Sequence, residues 1–480
     1  MLFNSLDFAI FFPIFFVVYW LVAKKLTLRN IFLLGSSYLF YGWWDWRFLF
    51  LIAFSSVVDF SIGKKIHATT NEAVRKGFLI TSLVVNLGLL AYFKYTNFFI
   101  DSFISSFRLF GAVIDDYTLN IILPVGISFY TFQTLSYTLD IYRKKIEPTK
   151  DALSFFTFVA FFPQLVAGPI ERASHLLPQF HKTYIFKYDA VKSGLLLIAF
   201  GLFKKMVIAD RLAIVVNQVY NNPTDHGGQD LIIATVFFAF QIYCDFSGYS
   251  DIAIGLSRAL GFDLMKNFDT PYFARSITDF WRRWHISLST WFRDYVYIPL
   301  GGSRKSEYRV YLNLFIVFVV SGLWHGAAIT FVIWGFIHGC FIVAEKAATN
   351  YGLIVKRNTV FNGVFFTTFT FIIVCFAWIF FRANSYSDSI FIVSNLFNIT
   401  PDFKDFYQLG LVSHEFNLAL ITIVLLLLFD ALHRRYNAIK LLNRAPFFLR
   451  SFVYVSVIYT IVVFGIYGND SVSEFIYFQF

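Results

Sequence analysis

Two histidines and a cluster of arginines between Asp279 and His338 stand where the chain should meet or cross an apolar environment. The stretch opens with Asp279-Phe-Trp-Arg-Arg-Trp-His285 and continues through Tyr297-Ile-Pro-Leu-Gly-Gly302. It ends in an apolar run that contains Leu323-Trp-His325-Gly326. Ionisable side chains are costly inside a bilayer, so each one marks a site by default. A neutral imidazole suits a general base, because it can take a proton from an attacking hydroxyl near neutral pH. His325 lies inside the apolar run, where desolvation disfavours its charged form and keeps it neutral. The plainer reading of a single buried histidine is a core residue bonded to a nearby carbonyl. His338 has no motif around it and is read that way.

The rest of the chain shows what must position these groups. Of its 480 residues, 58% are hydrophobic and 15% are charged, against about 45–50% and about 25% in soluble domains. An integral membrane protein follows. Its 65 Phe, 27 Tyr and 10 Trp serve lipid-facing surfaces and interfacial belts. A formal net charge of +10 would fit nucleic acid in a soluble protein. In so apolar a chain basic cytoplasmic loops account for it, and no nucleic-acid partner is expected. Cys244, Cys340 and Cys375 lie far apart without a CxxC pair, which excludes a disulfide framework and a zinc site from the reading. No metal site is expected. The start, Met1 to Asp7, lacks the basic region of a signal peptide, so the first apolar run is expected to stay as a membrane helix.

Apolar runs near 8–23, 31–44, 47–63 and 77–93 read as the first four spans, and 97–110 reads as an amphipathic helix on the outer surface. Lys and Arg counts in the loops place the N-terminus outside. A fifth span covers about 121–142. Run 154–170, with Pro163, Gln164, Gly168 and Pro169, suits a re-entrant segment buried in protein. Runs 194–219 and 231–257 follow. Asp245 and Asp251 in the latter must cap, pair or face water. Residues 258–309 form the most basic stretch and read as cytoplasmic. Within it, 279–296 has helical periodicity, with tryptophans on one face, arginines on the other and His285 at the edge between them. Residues 310–345 read as two short spans hinged near Ser321-Gly322 and Gly326. Runs 360–381, 417–430 and 451–468 bring the total to about eleven or twelve spans, and the tail 469–480 is outside. The expected architecture is an all-α, polytopic single domain over 1–480, with 279–345 as its core.

Four stretches carry a family resemblance: Tyr38-Leu-Phe-Tyr-Gly-Trp-Trp44; Phe162-Pro-Gln-Leu-Val-Ala-Gly-Pro-Ile170; Phe280-Trp-Arg-Arg-Trp-His-Ile-Ser-Leu-Ser289 with Tyr297-Ile-Pro-Leu-Gly-Gly302; and Leu323-Trp-His-Gly326. Together they resemble the membrane-bound O-acyltransferase superfamily, in its bacterial branch that acetylates secreted polysaccharides. The resemblance implies a helical bundle with re-entrant and interfacial helices around a tunnel. It implies an acetyl donor, acetyl-CoA, taken from the cytoplasm as substrate with no bound cofactor, and a polysaccharide acceptor outside. It makes His325 the catalytic histidine and His285 a second functional one. Gln164, Asp245, Asp251 and Trp324 would line or brace the tunnel.

Acyl transfer from a thioester needs a base for the acceptor hydroxyl and donors for the tetrahedral oxyanion. Arg282, Arg283 and Arg293 suit the phosphates of coenzyme A, and equally suit anchoring on anionic lipid. The end of the chain, Phe475-Ile-Tyr-Phe-Gln-Phe480, resembles a C-terminal motif of this branch whose tyrosine carries the acyl group. By that resemblance Tyr477 would relay acetyl to an extracytoplasmic SGNH-type partner of an inner-membrane enzyme; an aromatic anchor at the outer interface is the plainer alternative. Two rivals stay open at this point. One is transfer of D-alanyl or another acyl group fed by a carrier protein. The other is a secondary transporter, which broken helices and intramembrane acids would also fit.

Overall fold

A bilayer offers the backbone no water to bond, so a chain this apolar must close its hydrogen bonds within helices. The computed structural model describes residues 1–109, 118–353, 359–399, 409–436, 441–442, 444–467 and 475–476, and all of its regular structure there is helical. Among the described residues, eight helical stretches are long and apolar enough to cross a membrane. One of them, Leu26–Ala68, contains two of the expected spans. The chain divides into two units: Met1–Leu195 with Ala253–Met265, and Leu196–Ile252 with Lys266–Phe480.

The first unit contains α1 (Leu6–Val22), α2 (Leu26–Asp45), α3 (Leu49–Ala68), α4 (Glu72–Leu90), α5 (Thr96–Leu109) and α6 (Ile127–Tyr142). A π-helical turn at Ala91–Tyr95 joins α4 to α5, so the amphipathic helix continues the span before it. Buried Asp59 on α3 is satisfied by neutral donors: Ser82 Oγ at 2.6 Å, and Asn86 Nδ2 at 3.0 and 2.9 Å from its two oxygens. Such pairing is what makes a buried carboxyl tolerable. Three short helices follow, α7 (Ala152–Ala160), α8 (Phe162–Leu165) and α9 (Ala173–Leu176). The expected re-entrant segment is accordingly no single helix. It breaks at Phe161 (ψ 103°), two residues before Pro163, and most of it is buried. Gln164 is buried there and donates to the Phe158 carbonyl at 3.3 Å.

Helices α10 (Tyr188–Leu202) and α12 (Gly228–Ala259) are shared between the two residue ranges. The second unit further contains α11 (Asp210–Asn221), α13 (Ile277–Trp281), α14 (Ile286–Phe292), α15 (Glu307–His325), α16 (Ile329–Asn350), α17 (Val360–Arg382), α18 (Tyr386–Asn395), α19 (Ser413–Tyr436) and α20 (Phe447–Phe464). No residue of α20 is buried, and Phe448, Phe452, Val455 and Ile458 stand exposed, as lipid-facing positions should. Helices α15 and α16 form a hairpin. Its turn is Gly326–Ala328, whereas Gly322 lies inside α15 as a contact point and not as a hinge. A Cβ on Gly322 would sit 2.3 Å from the Phe331 carbonyl oxygen, and one on Gly335 would sit 2.4 Å from that of Phe318. Small residues at such crossings let apolar helices meet backbone to backbone.

Candidate functional site

His325 is the last residue of α15. Gly326 follows in extended conformation, and a Cβ there would meet the Phe331 ring at 2.1 Å, so the motif needs a glycine directly after the histidine. The His325 side chain is set among rings, with centroids of Trp324, Trp334 and Phe381 at 4.9, 5.0 and 5.4 Å. A second imidazole, that of His285, lies 6.5 Å away at an interplanar angle of 60°. Relative exposure is 3% for His325 and 0% for His285.

The burial of His285 corrects the expected interfacial helix over 279–296. The chain turns at Arg282–His285, and His285 itself is left-handed (φ 43°, ψ 54°). A left-handed non-glycine residue costs roughly 1–2 kcal/mol and needs surrounding structure to impose it. Asn267 supplies that structure. Its carbonyl accepts the Ile286 N–H at 2.9 Å, and its Oδ1 accepts from Ser287 Oγ at 2.9 Å and lies 3.1 Å from His285 Nδ1. Its Nδ2 donates to Ser250 Oγ at 3.0 Å, which fixes the amide's orientation. An amide oxygen only accepts, so His285 carries its proton on Nδ1 and keeps its lone pair on Nε2. Burial pushes the His285 pKa well below the usual 6.5, which keeps the ring neutral.

The tryptophans expected on the lipid side of that helix are buried instead. Trp281 donates from Nε1 to His338 Nδ1 at 3.2 Å, so His338 is a bonded core residue. Beside Trp281 lies a cavity of about 1030 Å³, lined mainly by α13–α17. Arg275, Arg282, Arg293 and Lys346 bring positive charge to it, while Leu288, Phe318, Phe341 and Phe369 supply apolar wall. Arg283 is not in the lining. It pairs with Asp279 at 2.8 Å. The histidine pair does not line the cavity either. Ser321, one turn before His325, and Trp281 do, and the Trp281 ring is 5.6 Å from Trp334, which in turn is 5.0 Å from His325. Trp281 and Trp334 thus form a line of ring contacts from the cavity wall to His325.

Asp245 and Asp251 both pair with lysines that a π-helical stretch, Phe203–Ala209, presents between α10 and α11. Lys205 Nζ lies 2.7 Å from Asp245 and 2.8 Å from Asp210, and Lys204 Nζ lies 2.5 Å from Asp251. Asp245 also accepts the backbone N–H of Ile476 at 2.7 Å. Tyr477 lies outside the described residues.

Residues 143–387 match the family model described as MBOAT, the membrane-bound O-acyltransferase family. Among curated proteins, the chain is 42% identical over 383 residues to a probable alginate O-acetylase of Pseudomonas putida, covering 78% of this chain and 76% of that protein. It is 35% identical over 415 residues to a peptidoglycan O-acetyltransferase of Helicobacter pylori, covering 80% and 77%. It is 27% identical over 282 residues to a teichoic acid D-alanyltransferase of Bacillus subtilis, covering 56% and 70%.

The chain belongs to the membrane-bound O-acyltransferase family. It is thus a multi-pass membrane enzyme that transfers acyl groups, and the transporter reading is set aside. The matched family segment contains Gln164, Asp245, Asp251, both histidines and the whole cavity lining. Sequence reasoning missed four residues around these groups. Asn267 gave no signal, being one amide in a basic loop. Lys204 and Lys205 did give one, as two cations inside an apolar run. Arg275 was visible as a base but lay outside the quoted motifs.

Proposed function

We propose that this enzyme moves acetyl groups from cytoplasmic acetyl-CoA across the inner membrane for O-acetylation of a secreted or cell-wall polysaccharide. The observation that carries the reading is the buried pair His325 and His285, 6.5 Å apart, linked through Trp334 and Trp281 to a cavity whose lining includes Arg275, Arg282 and Arg293. His325 is the base. It takes the proton of an acceptor hydroxyl as that oxygen attacks the thioester carbonyl. The C–S bond then breaks, and the proton passes to the thiolate of coenzyme A. General-base assistance of this kind contributes about 10²–10⁴-fold. His285, neutral and held by Asn267, orients the reacting groups. Arg282 and Arg293, with Arg275, attract the donor's phosphates. Tyr477 is the first acceptor and hands acetyl to an SGNH-type partner on the extracytoplasmic side, where both termini lie. The acetyl and polysaccharide assignments are supported by relatives at 42% and 35% identity, whose names specify O-acetylation.

Radiolabelled acetyl transfer from acetyl-CoA to the purified protein tests this reading. Label present in wild type and lost in both His325→Ala and Tyr477→Phe supports the relay. Label lost only in His325→Ala keeps the enzyme and moves the acceptor elsewhere. A protein that is silent with acetyl-CoA, even with partner and glycan supplied, overturns the donor. Transfer of D-alanyl or another acyl group from a carrier protein would then be tried in its place; a relative at 27% identity is named as a D-alanyltransferase.

A further inference from the structure

The C-terminal segment returns to the interior of the second unit at Phe475 and Ile476, both 2% exposed. Phe475 packs on α12, with ring centroids 5.0 Å from Tyr249 and 5.7 Å from Phe246. Phe246 also meets His285, with ring centroids 4.6 Å apart and planes nearly perpendicular. Phe246 therefore touches both Phe475 and His285. The Ile476 N–H donates to Asp245 Oδ2, while Oδ1 of the same carboxylate is held by Lys205, which also holds Asp210.

We propose that Asp245 is a positioning residue for the acyl transfer, docking the C-terminal segment beside His285 and His325. This inference rests on the relay reading of Tyr477, the residue that follows Ile476. The carboxylate has two acceptor oxygens and uses one for the lysine and one for the tail. An asparagine cannot do both. It must turn its NH2 group either toward the Lys205 ammonium or toward the Ile476 N–H, and each choice sets donor against donor. The buried charges must also balance, since an uncompensated one is strongly destabilising.

The test therefore uses two charge-free triple variants. Both carry Lys205→Met and Asp210→Asn. One adds Asp245→Asn, which keeps an acceptor for Ile476, and the other adds Asp245→Leu, which removes it. Carboxypeptidase digestion of the intact protein in detergent, read by mass spectrometry, reports docking. Labelled acetyl transfer reports function. Wild type and the Asn triple are expected to retain Phe475 and Ile476 and to transfer acetyl. The Leu triple is expected to be trimmed past Ile476 and to lose about tenfold in kcat with the KM for acetyl-CoA unchanged. Equal trimming of the two triples overturns the anchor. Unequal trimming together with full transfer by Tyr477→Phe leaves the anchor standing but overturns the relay, and with it the anchor's role in the reaction.

Discussion

Asn267 Oδ1 lies 3.1 Å from His285 Nδ1 across a gap of 18 residues in sequence, and so decides which nitrogen of that ring bears the proton. Burial holds the His285 pKa well below 6.5, and the neutral ring persists as pH falls through the physiological range. Replacing the amide by a carboxylate, Asn267→Asp, would favour the imidazolium and raise that pKa. The acidic limb of kcat/KM should then move to higher pH, and activity should be lost sooner on acidification. Asn267→Leu strands the His285 Nδ1–H and should destabilise the fold by about 1–3 kcal/mol, with activity lowered at all pH values. A limb that stays in place in Asn267→Asp would show that neutral His285 is not required.

The cationic lining predicts a division among neighbouring arginines. Arg282→Gln and Arg293→Gln should each raise the KM for acetyl-CoA several-fold with little change in kcat, since they line the cavity. Arg283→Gln should leave that KM unchanged, since its side chain pairs with Asp279 and donates to the Asp269 carbonyl outside the cavity lining. Steady-state kinetics of the three variants at fixed ionic strength check the split.

Trp281 stands between the cavity and the rings around His325. Trp281→Phe keeps an aromatic wall and removes only the hydrogen bond to His338, so transfer should persist. Trp281→Ala should open the wall to water and increase release of free coenzyme A thiol in the absence of acceptor. A thiol-release assay without glycan or partner measures this directly.

Helix contacts predict opposite outcomes for two glycines. A Cβ on Gly201 would lie 2.5 Å from the Gly248 carbonyl oxygen, while one on Gly35 meets nothing within 4 Å. Gly201→Ala should destabilise by about 1–3 kcal/mol through overpacking. Gly35→Ala should be neutral or stabilising by up to about 1 kcal/mol, because alanine loses less backbone entropy in a helix. Thermal unfolding in detergent distinguishes them.

Much of the membrane architecture was legible, because apolar runs and basic loops are local properties of the chain. His325 was legible for the same reason: an ionisable group inside an apolar run needs no fold to stand out. His285 was misplaced at an interface because helical periodicity was extended through a stretch that actually turns. That turn is imposed by Asn267, and nothing between 267 and 285 announces the bond. The partners of Asp245 and Asp251 are separated from them by about forty residues, so composition could require a pairing without naming the lysines. Ser321-Gly322 read as a hinge since glycine in a helix permits bending. In the structure the same missing side chain serves close approach instead.

The α15–α16 hairpin meets backbone to backbone at Gly322 and Gly335, immediately before the catalytic candidate. No side chain stands between the two helices at that point, so none can swing aside to make a passage. The hairpin therefore works as a seal. Any space open to the His325 imidazole at that level lies along the flanks of the hairpin and not through its seam.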